Sequence, residues 1–438
     1  MFKFEKAKLK LAVVPNHRAG WEGPLVYGIQ KEVDQKMVQL SEELDFDIVS
    51  TNDVVFPETF SRKQNEMVRD SMMDDYTDAE IVAEYLKAQH VDAIFLPFCG
   101  FGQEEAAAKV AKELQVPVLV WGPRDPMPKG TEEWRPLDTQ CGMFAATKVL
   151  QRYGVTFTYI ENCFIDDPAF YEGFKQFIST AQIVKAFRNA RILQVSVRPQ
   201  PFLSVIVNEA ELLEKFGIEI VPITENQFIR TVKSIMNEKP DEVDELVADI
   251  EKTLDMSRLK DKRIVAGVEM AYMQLAKQYH CTAVASECWS MNAAEFGIST
   301  CFVLGDLNDR GLPAACEEDI MAAIASLMAV AATNNKEASF IADLTIRHPE
   351  NDNCELLCHC GPFAKQLMRP GFPGYISAQS KGFYPLKLGE ITMLRLDGLK
   401  GEYSLFCGKG NSIDGPVTNG NYVWAEVDDW VKWEKKFM

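Results

Sequence analysis

No run of about 18 apolar residues occurs in this chain of 438 residues, so the sequence offers no membrane-spanning helix. Its opening, MFKFEKAKLKLAVVP, scatters charges where a secretory signal needs an unbroken apolar segment. Basic residues are scarce too: 46 Lys and Arg stand against 64 Asp and Glu, a net charge of −18. That balance repels phosphate backbones and anionic lipid surfaces, which argues against nucleic acid and membranes as partners. Internal repeats and low-complexity tracts are missing. The cysteines number eleven, spread from Cys99 to Cys407 without the dense spacing of a disulfide framework. They read as reduced thiols, mostly small core residues, in a cytoplasmic protein.

What is present is a large apolar fraction, 47% of the residues, enough for a substantial core shared among about two to four domains. KLAVVP, FDIVS, VDAIFLPF and VPVLVWG read as strands, separated by helical stretches such as TDAEIVAEYLKAQH and GQEEAAAKVAKELQ. Continuous apolar strands alternating with amphipathic helices imply a parallel sheet covered on both faces. A second α/β series follows, with ARILQVSV, IEIVPI and CTAVAS as strands and a charged helix over 240–255. After about residue 336 short strands separated by Gly-rich turns describe antiparallel pairing. The fold class is therefore α/β: two doubly wound parallel-sheet domains, 1–155 and 156–335, followed by a β-rich C-terminal domain, 336–438.

Ligands of open α/β sheets sit beyond the carboxyl ends of the strands. PNHRAGW (15–21), with His17, Arg18 and Trp21, occupies such a place, and so does PFCGFGQEE (97–105). Gly100 and Gly102 begin a dinucleotide fingerprint, but Glu105 replaces its third glycine and acids open the helix. A tight strand-to-helix turn explains those glycines better.

AACEEDIMAAIASL (314–327) places Glu317, Glu318 and Asp319 directly before an apolar run with helical spacing. Acids in a first helical turn gain roughly 0.3–1 kcal/mol from the dipole, and one suffices. Three span almost a turn, so at least one is expected to point toward the sheet or a cleft, where a carboxylate needs a cation or a partner. Asp343 ends the apolar strand SFIAD (339–343), facing solvent or a site. His359 lies within CELLCHCGPF (354–363) and is either a hydrogen-bonded core residue or a ligand. Together Glu317, Asp343 and His359 are the hard oxygen and imidazole donors that suit Mn²⁺ or another divalent cation. A zinc set of Cys354, Cys358, Cys360 and His359 fits less well: its spacing matches no common knuckle, and strand alternation turns Cys358 and Cys360 away from His359.

VRPQPFLSVIVNEAELLEKFGIEI (197–220), VLVWGPRDP (118–126), the Cys-Gly pair at 141–142, and LNDRGLPAACEEDI (307–320) followed by SFIAD resemble the L-fucose isomerase / L-arabinose isomerase superfamily and its fucose isomerase-like branch. The resemblance implies two α/β domains with a β-rich C-terminal domain, bound Mn²⁺, and conversion of an aldose to its ketose through a cis-enediol. It gives Glu317 the role of metal ligand and proton-transfer group, Asp343 that of the acid after the next apolar run, and His359 that of the histidine following it. Ala342 stands where the arabinose branch has a glutamate. Relatives carry one more histidine ligand after the last strands, and no histidine follows His359 here. The resemblance also implies a homo-oligomer, trimer or hexamer, with sites at subunit junctions. Sugars of the superfamily include fucose, arabinose and, in some branches, the sulfonated sulfoquinovose. Arg18, Trp21 and Arg124 are candidate substrate contacts, the arginines for an anionic group or else for surface ion pairs. A non-catalytic sugar-binding protein of the same fold and an epimerase working through the same enediol remain as alternatives.

Overall fold

A computed structural model describes residues 2–18, 24–57, 72–127, 135–188, 190–416 and 421–438. The apolar runs of the first half form β1 (Leu9–Val13), β2 (Phe46–Ser50), β3 (Ala93–Pro97), β4 (Val118–Trp121) and β5 (Thr158–Tyr159), a parallel sheet in the order β2-β1-β3-β4-β5. Alternation along each strand feeds two cores. Ala12, Ile94, Leu96 and Val120 face one side, while Leu11, Phe95, Leu119 and Trp121 face the other. The helix Pro168–Phe187 closes the second side: Phe170 meets Trp121 at a centroid distance of 4.8 Å and Phe174 meets Phe95 at 5.7 Å.

Gly102 has φ +80° and makes the tight turn into the helix Glu104–Leu114, as its glycines suggest. The Cys-Gly pair has a packing reason. Gly142, in the helix Thr139–Arg152, lies where a Cβ would overlap the Phe101 carbonyl. Gly142→Ala is therefore expected to destabilise this part of the fold by about 1–3 kcal/mol or more, read as a lower denaturation midpoint.

The second half carries another parallel sheet, made of β6 (Arg191–Val195), β7 (Glu219–Ile223), β9 (Ala283–Ser286) and β10 (Ala314–Ala315) in the order β10-β9-β6-β7. A small sheet joins β8 (Leu254–Asp255), β13 (Gly374–Ile376) and β14 (Gly382–Phe383). The β-rich stretch forms an antiparallel sheet, β11-β12-β17-β16-β15, from β11 (Asp343–Arg347), β12 (Cys354–His359), β15 (Gly389–Leu399), β16 (Glu402–Ile413) and β17 (Asn421–Glu426). The fold is thus mixed α/β, with two parallel sheets and an antiparallel C-terminal one.

Set against the sequence divisions 1–155, 156–335 and 336–438, the chain parts into two compact units. One is Ala7–Lys185; the other is Ala186–Met438 together with the segment preceding Ala7. Residues 156–185 join the first sheet through β5 and the aromatic contacts just described. The β-rich stretch shares one core with the second parallel sheet, since Leu193, Val284 and Phe302 pack in the same cluster as Leu357, Phe363 and Val423. Among the described residues no helix is long and apolar enough to cross a membrane.

Candidate active site

Strand order in the second sheet reverses between β6 and β9, and such a switch point opens a crevice at the carboxyl ends. The residues just past those ends are Ser196 to Arg198 after β6, Glu287 to Trp289 after β9, and Cys316 to Asp319 after β10. Each loop is fixed by its own hydrogen bonds. Glu287, 5% exposed, accepts from the backbone of Trp289 at 2.7 Å, Ser290 at 2.8 Å and Met291 at 3.1 Å, which folds the chain back after Cys288. The Glu318 N–H donates to the Ser286 carbonyl at 3.0 Å and the Asp319 N–H to that of Cys316 at 2.9 Å, tying the acidic turn to β9.

The acidic triplet does not occupy a first helical turn. The helix is Ile320–Ala332, and Asp319 is its N-cap, accepting from Ala322 N at 2.9 Å and pairing with Arg395 at 2.6 Å. Glu317 and Glu318 precede it with φ of 53° and 58°. Two consecutive left-handed residues other than glycine carry strain of order 1–3 kcal/mol each, and the turn sends the three carboxyls apart. Glu318, 7% exposed, takes a hydrogen bond from Gln194, and burial raises its carboxyl above the usual range despite that bond. It lines a cleft of about 330 Å³ with Gln194, Arg198, Gln200 and Glu209. Glu317 turns the other way, toward the antiparallel sheet.

There it meets His359, the last residue of β12, with Nε2 at 3.5 Å from Oε2. Burial works against a charged imidazole, but hydrogen bonds with Cys360 and Glu317 outweigh it and push His359 up to about 11. Asp343 is exposed at the start of β11, yet partial desolvation raises its carboxyl, with His359 opposing and Glu317 adding to that. The three residues singled out from the sequence are thus brought into one electrostatic neighbourhood. Asp343, though, begins its strand instead of ending one. β11 starts at Asp343, opposite Cys358, while Phe340 and Ala342 pack against the core before any pairing begins.

Cysteines that the sequence reading set aside crowd the same place. Cys288 Sγ lies 3.5 Å from Glu317 Oε1, and Cys288, Cys316 and Glu317 place ligand atoms all within 4.8 Å of one another. Cys360 Sγ is 3.3 Å from His359 Nδ1 and 3.2 Å from Cys301 Sγ. Strand alternation does not separate Cys360 from His359, because β12 ends at His359 and Cys360 lies beyond it. Cys354 and Cys358 pack elsewhere, against Trp424, so the zinc set considered from sequence does not assemble.

LNDRGLP, upstream of the turn, is a brace. Asn308 holds β10 by donating to the Ala314 carbonyl at 3.3 Å and accepting from Ala314 N at 3.4 Å. Asp309 accepts from the backbone of Lys365 and from that of Gln366, the latter at 3.0 Å. Arg310 binds the fully buried Glu269 and Asp306, the latter at 2.7 Å, and reaches Asp249 at 3.1 Å. Gly305, one turn earlier in the helix Cys301–Asp309, lets the Phe363 backbone pass where a Cβ would lie 2.5 Å from its oxygen. Sequence reasoning passed over these residues, and over Trp289, which is 52% exposed and meets Phe202 edge-on at 5.0 Å.

Arg18 and Arg124 belong to the first unit. The Arg18 guanidinium sits 4.1 Å above the Phe101 ring, and exposed Arg124 donates to the Asn162 carbonyl at 2.9 Å. Trp21 lies outside the described residues.

The chain is similar to known proteins over most of its length. The family described as Fucose/sulfoquinovose isomerase, N-terminal domain, matches residues 39–188. A protein of Priestia aryabhattai named sulfoquinovose isomerase is 25% identical over 338 residues, 75% of this chain and 74% of that one. Priestia megaterium has a protein of the same name, identity and coverage. Another so named, from Alkalicoccus urumqiensis, is 24% identical over 339 residues, 76% of this chain and 75% of its own.

Proposed function

Because the chain belongs to the fucose isomerase-like superfamily, we propose that it is an aldose–ketose isomerase acting on an anionic sugar, with the sulfonated hexose sulfoquinovose as its first candidate substrate. The observation that carries the reading is the Glu317 carboxylate, held past the carboxyl end of β10 and paired with His359 at 3.5 Å. The names of the relatives support the choice of sugar.

Aldose–ketose conversion moves a hydrogen between C1 and C2 and places negative charge on the enediolate in between. Glu317 is the group to take the proton from one carbon and return it to the other. His359 pairs with it and Asp343 shares its electrostatic surroundings, so proton transfer would occur among groups whose charges oppose and balance. Two carboxylates and an imidazole are also the donor chemistry that suits Mn²⁺, and these are the residues that would hold it. A divalent cation held there would supply stabilisation of the negative charge that develops on the enediolate. His359 would hold such a cation as the neutral imidazole, so metal binding would compete with protons at this position.

For the anionic substituent the reading offers Arg198, in the cleft that Glu318 lines; Arg18, Trp21 and Arg124 stay candidates on the sequence alone. Trp289 supplies an apolar surface for a sugar ring. A cytoplasmic location and a homo-oligomeric assembly, trimer or hexamer, belong to the same reading.

The test is to incubate the purified chain with sulfoquinovose and with neutral aldoses, after chelation and after addition of Mn²⁺. Ketose formed from the sulfonated sugar, and more slowly from the neutral ones, supports the reading. Binding without any ketose points to the sugar-binding alternative, and return of a C2 epimer to the epimerase.

A further inference from the structure

Eleven cysteines are distributed over the chain, yet four of them, from four separate segments, meet beside Glu317. Cys288 follows β9, Cys301 opens the helix Cys301–Asp309, Cys316 follows β10 and Cys360 follows β12. Their spacing in sequence forms no knuckle; the switch point of the sheet gathers them. Cys316 lies with Cys288 and Glu317 in a trio whose ligand atoms are all within 4.8 Å of one another, while Cys360 stands against Cys301 at 3.2 Å and His359 at 3.3 Å.

We propose that Cys288, Cys316 and Glu317, completed by Cys360 drawn in from beside His359, form a site for a soft divalent cation of the zinc and cadmium class. Four donors at zinc bond lengths of about 2.0–2.3 Å stand roughly 3.3–3.8 Å apart at tetrahedral angles. The Cys288 to Glu317 separation of 3.5 Å falls in that range, and Cys316 closes the trio within 4.8 Å. Cys360 lies outside that trio and is the donor that moves in on binding. His359 pairs with Glu317 Oε2 at 3.5 Å, while the other oxygen, Oε1, faces the Cys288 thiol.

His359 marks the border between two kinds of donor. Its Nε2 faces Glu317 and its Nδ1 faces Cys360. The hard donors Glu317, Asp343 and His359 form one half of the cluster; the thiols form the other; Glu317 is common to both. A soft cation on the thiols thus draws Glu317 away from proton transfer. The proposal goes beyond the isomerase reading, which uses none of the sulfurs, and it survives if the chain turns over no sugar.

The experiment uses the full chain, reduced and stripped of metal, titrated with Cd²⁺ under nitrogen while the near-ultraviolet thiolate-to-cadmium charge-transfer band is followed. Wild type and Cys407→Ser, which alters an exposed cysteine of β16, are expected to saturate at one equivalent with equal intensity. Cys360→Ser should lower the band, and the Cys288→Ser, Cys360→Ser double variant should lose most of it. Since Cys360 is exposed, its single variant keeps the test valid if the double variant fails to fold, as judged by circular dichroism. No band in wild type, or an undiminished band in Cys360→Ser, overturns the proposal and leaves the isomerase reading to its own test.

Discussion

Glu317→Gln is expected to lower kcat for aldose–ketose conversion by about 10²–10⁴, the contribution of a positioned general base, with little change in melting temperature. Glutamine has the same shape and keeps an oxygen toward Cys288 and a polar group toward His359, so the turn after β10 has no reason to rearrange. It cannot accept the proton from the sugar, and it donates to a divalent ion far less well than a carboxylate does. The effect should therefore appear in kcat, and it should persist at saturating Mn²⁺. Steady-state rates with the sulfonated sugar, together with a thermal melt of each protein, decide the matter. Turnover within a few-fold of wild type would remove Glu317 from the reaction.

Arg310→Met is the largest expected effect on stability. Glu269 and Asp306 are both fully buried. Burial, and then the Asp306 charge, hold the Glu269 carboxyl well above its ordinary range. Without the guanidinium, Glu269 and Asp306 share Lys365, which lies 2.6 Å from Asp306. Removing one partner of such a set costs about 3–5 kcal/mol, and for a unit of this size that is a fall of roughly 6–20 °C in melting temperature. Adding Glu269→Gln should restore part of the loss, because it removes one of the two stranded acids. A melting temperature unchanged by Arg310→Met would show that the brace beneath β10 is dispensable.

Much of the fold was legible because burial on both faces writes itself into sequence as continuous apolar runs. KLAVVP, VDAIFLPF and CTAVAS became β1, β3 and β9, and the switch-point rule led to the loops after them. Which acid does what was less legible. Three consecutive carboxylates before an apolar run look like a helix start, but left-handed backbone at Glu317 and Glu318 leaves only Asp319 at the cap. No residue in that turn announces positive φ, since glycine and asparagine are absent from it. Apolar SFIA reads as a strand although it packs without pairing, which moved Asp343 from the end of a strand to the start of one. Period-two alternation holds only inside a strand, and β12 ends one residue too soon to turn Cys360 away from His359. Cys288 had one available signal, its place just after an apolar strand, where the switch-point rule directs attention. Arg310 lay within a stretch that carried the family resemblance, yet a charged residue's burial cannot be seen in its neighbours along the chain.

The central claim is that the turn after β10, with His359, performs proton transfer on a sugar. Its most direct measurement is the reaction in deuterated water with Mn²⁺, following sulfoquinovose by proton NMR. Ketose carrying solvent deuterium at C1, formed by wild type and not by Glu317→Gln, is the predicted result. Sugar recovered without ketose and without exchange at C2, from protein shown to bind it, would contradict the account.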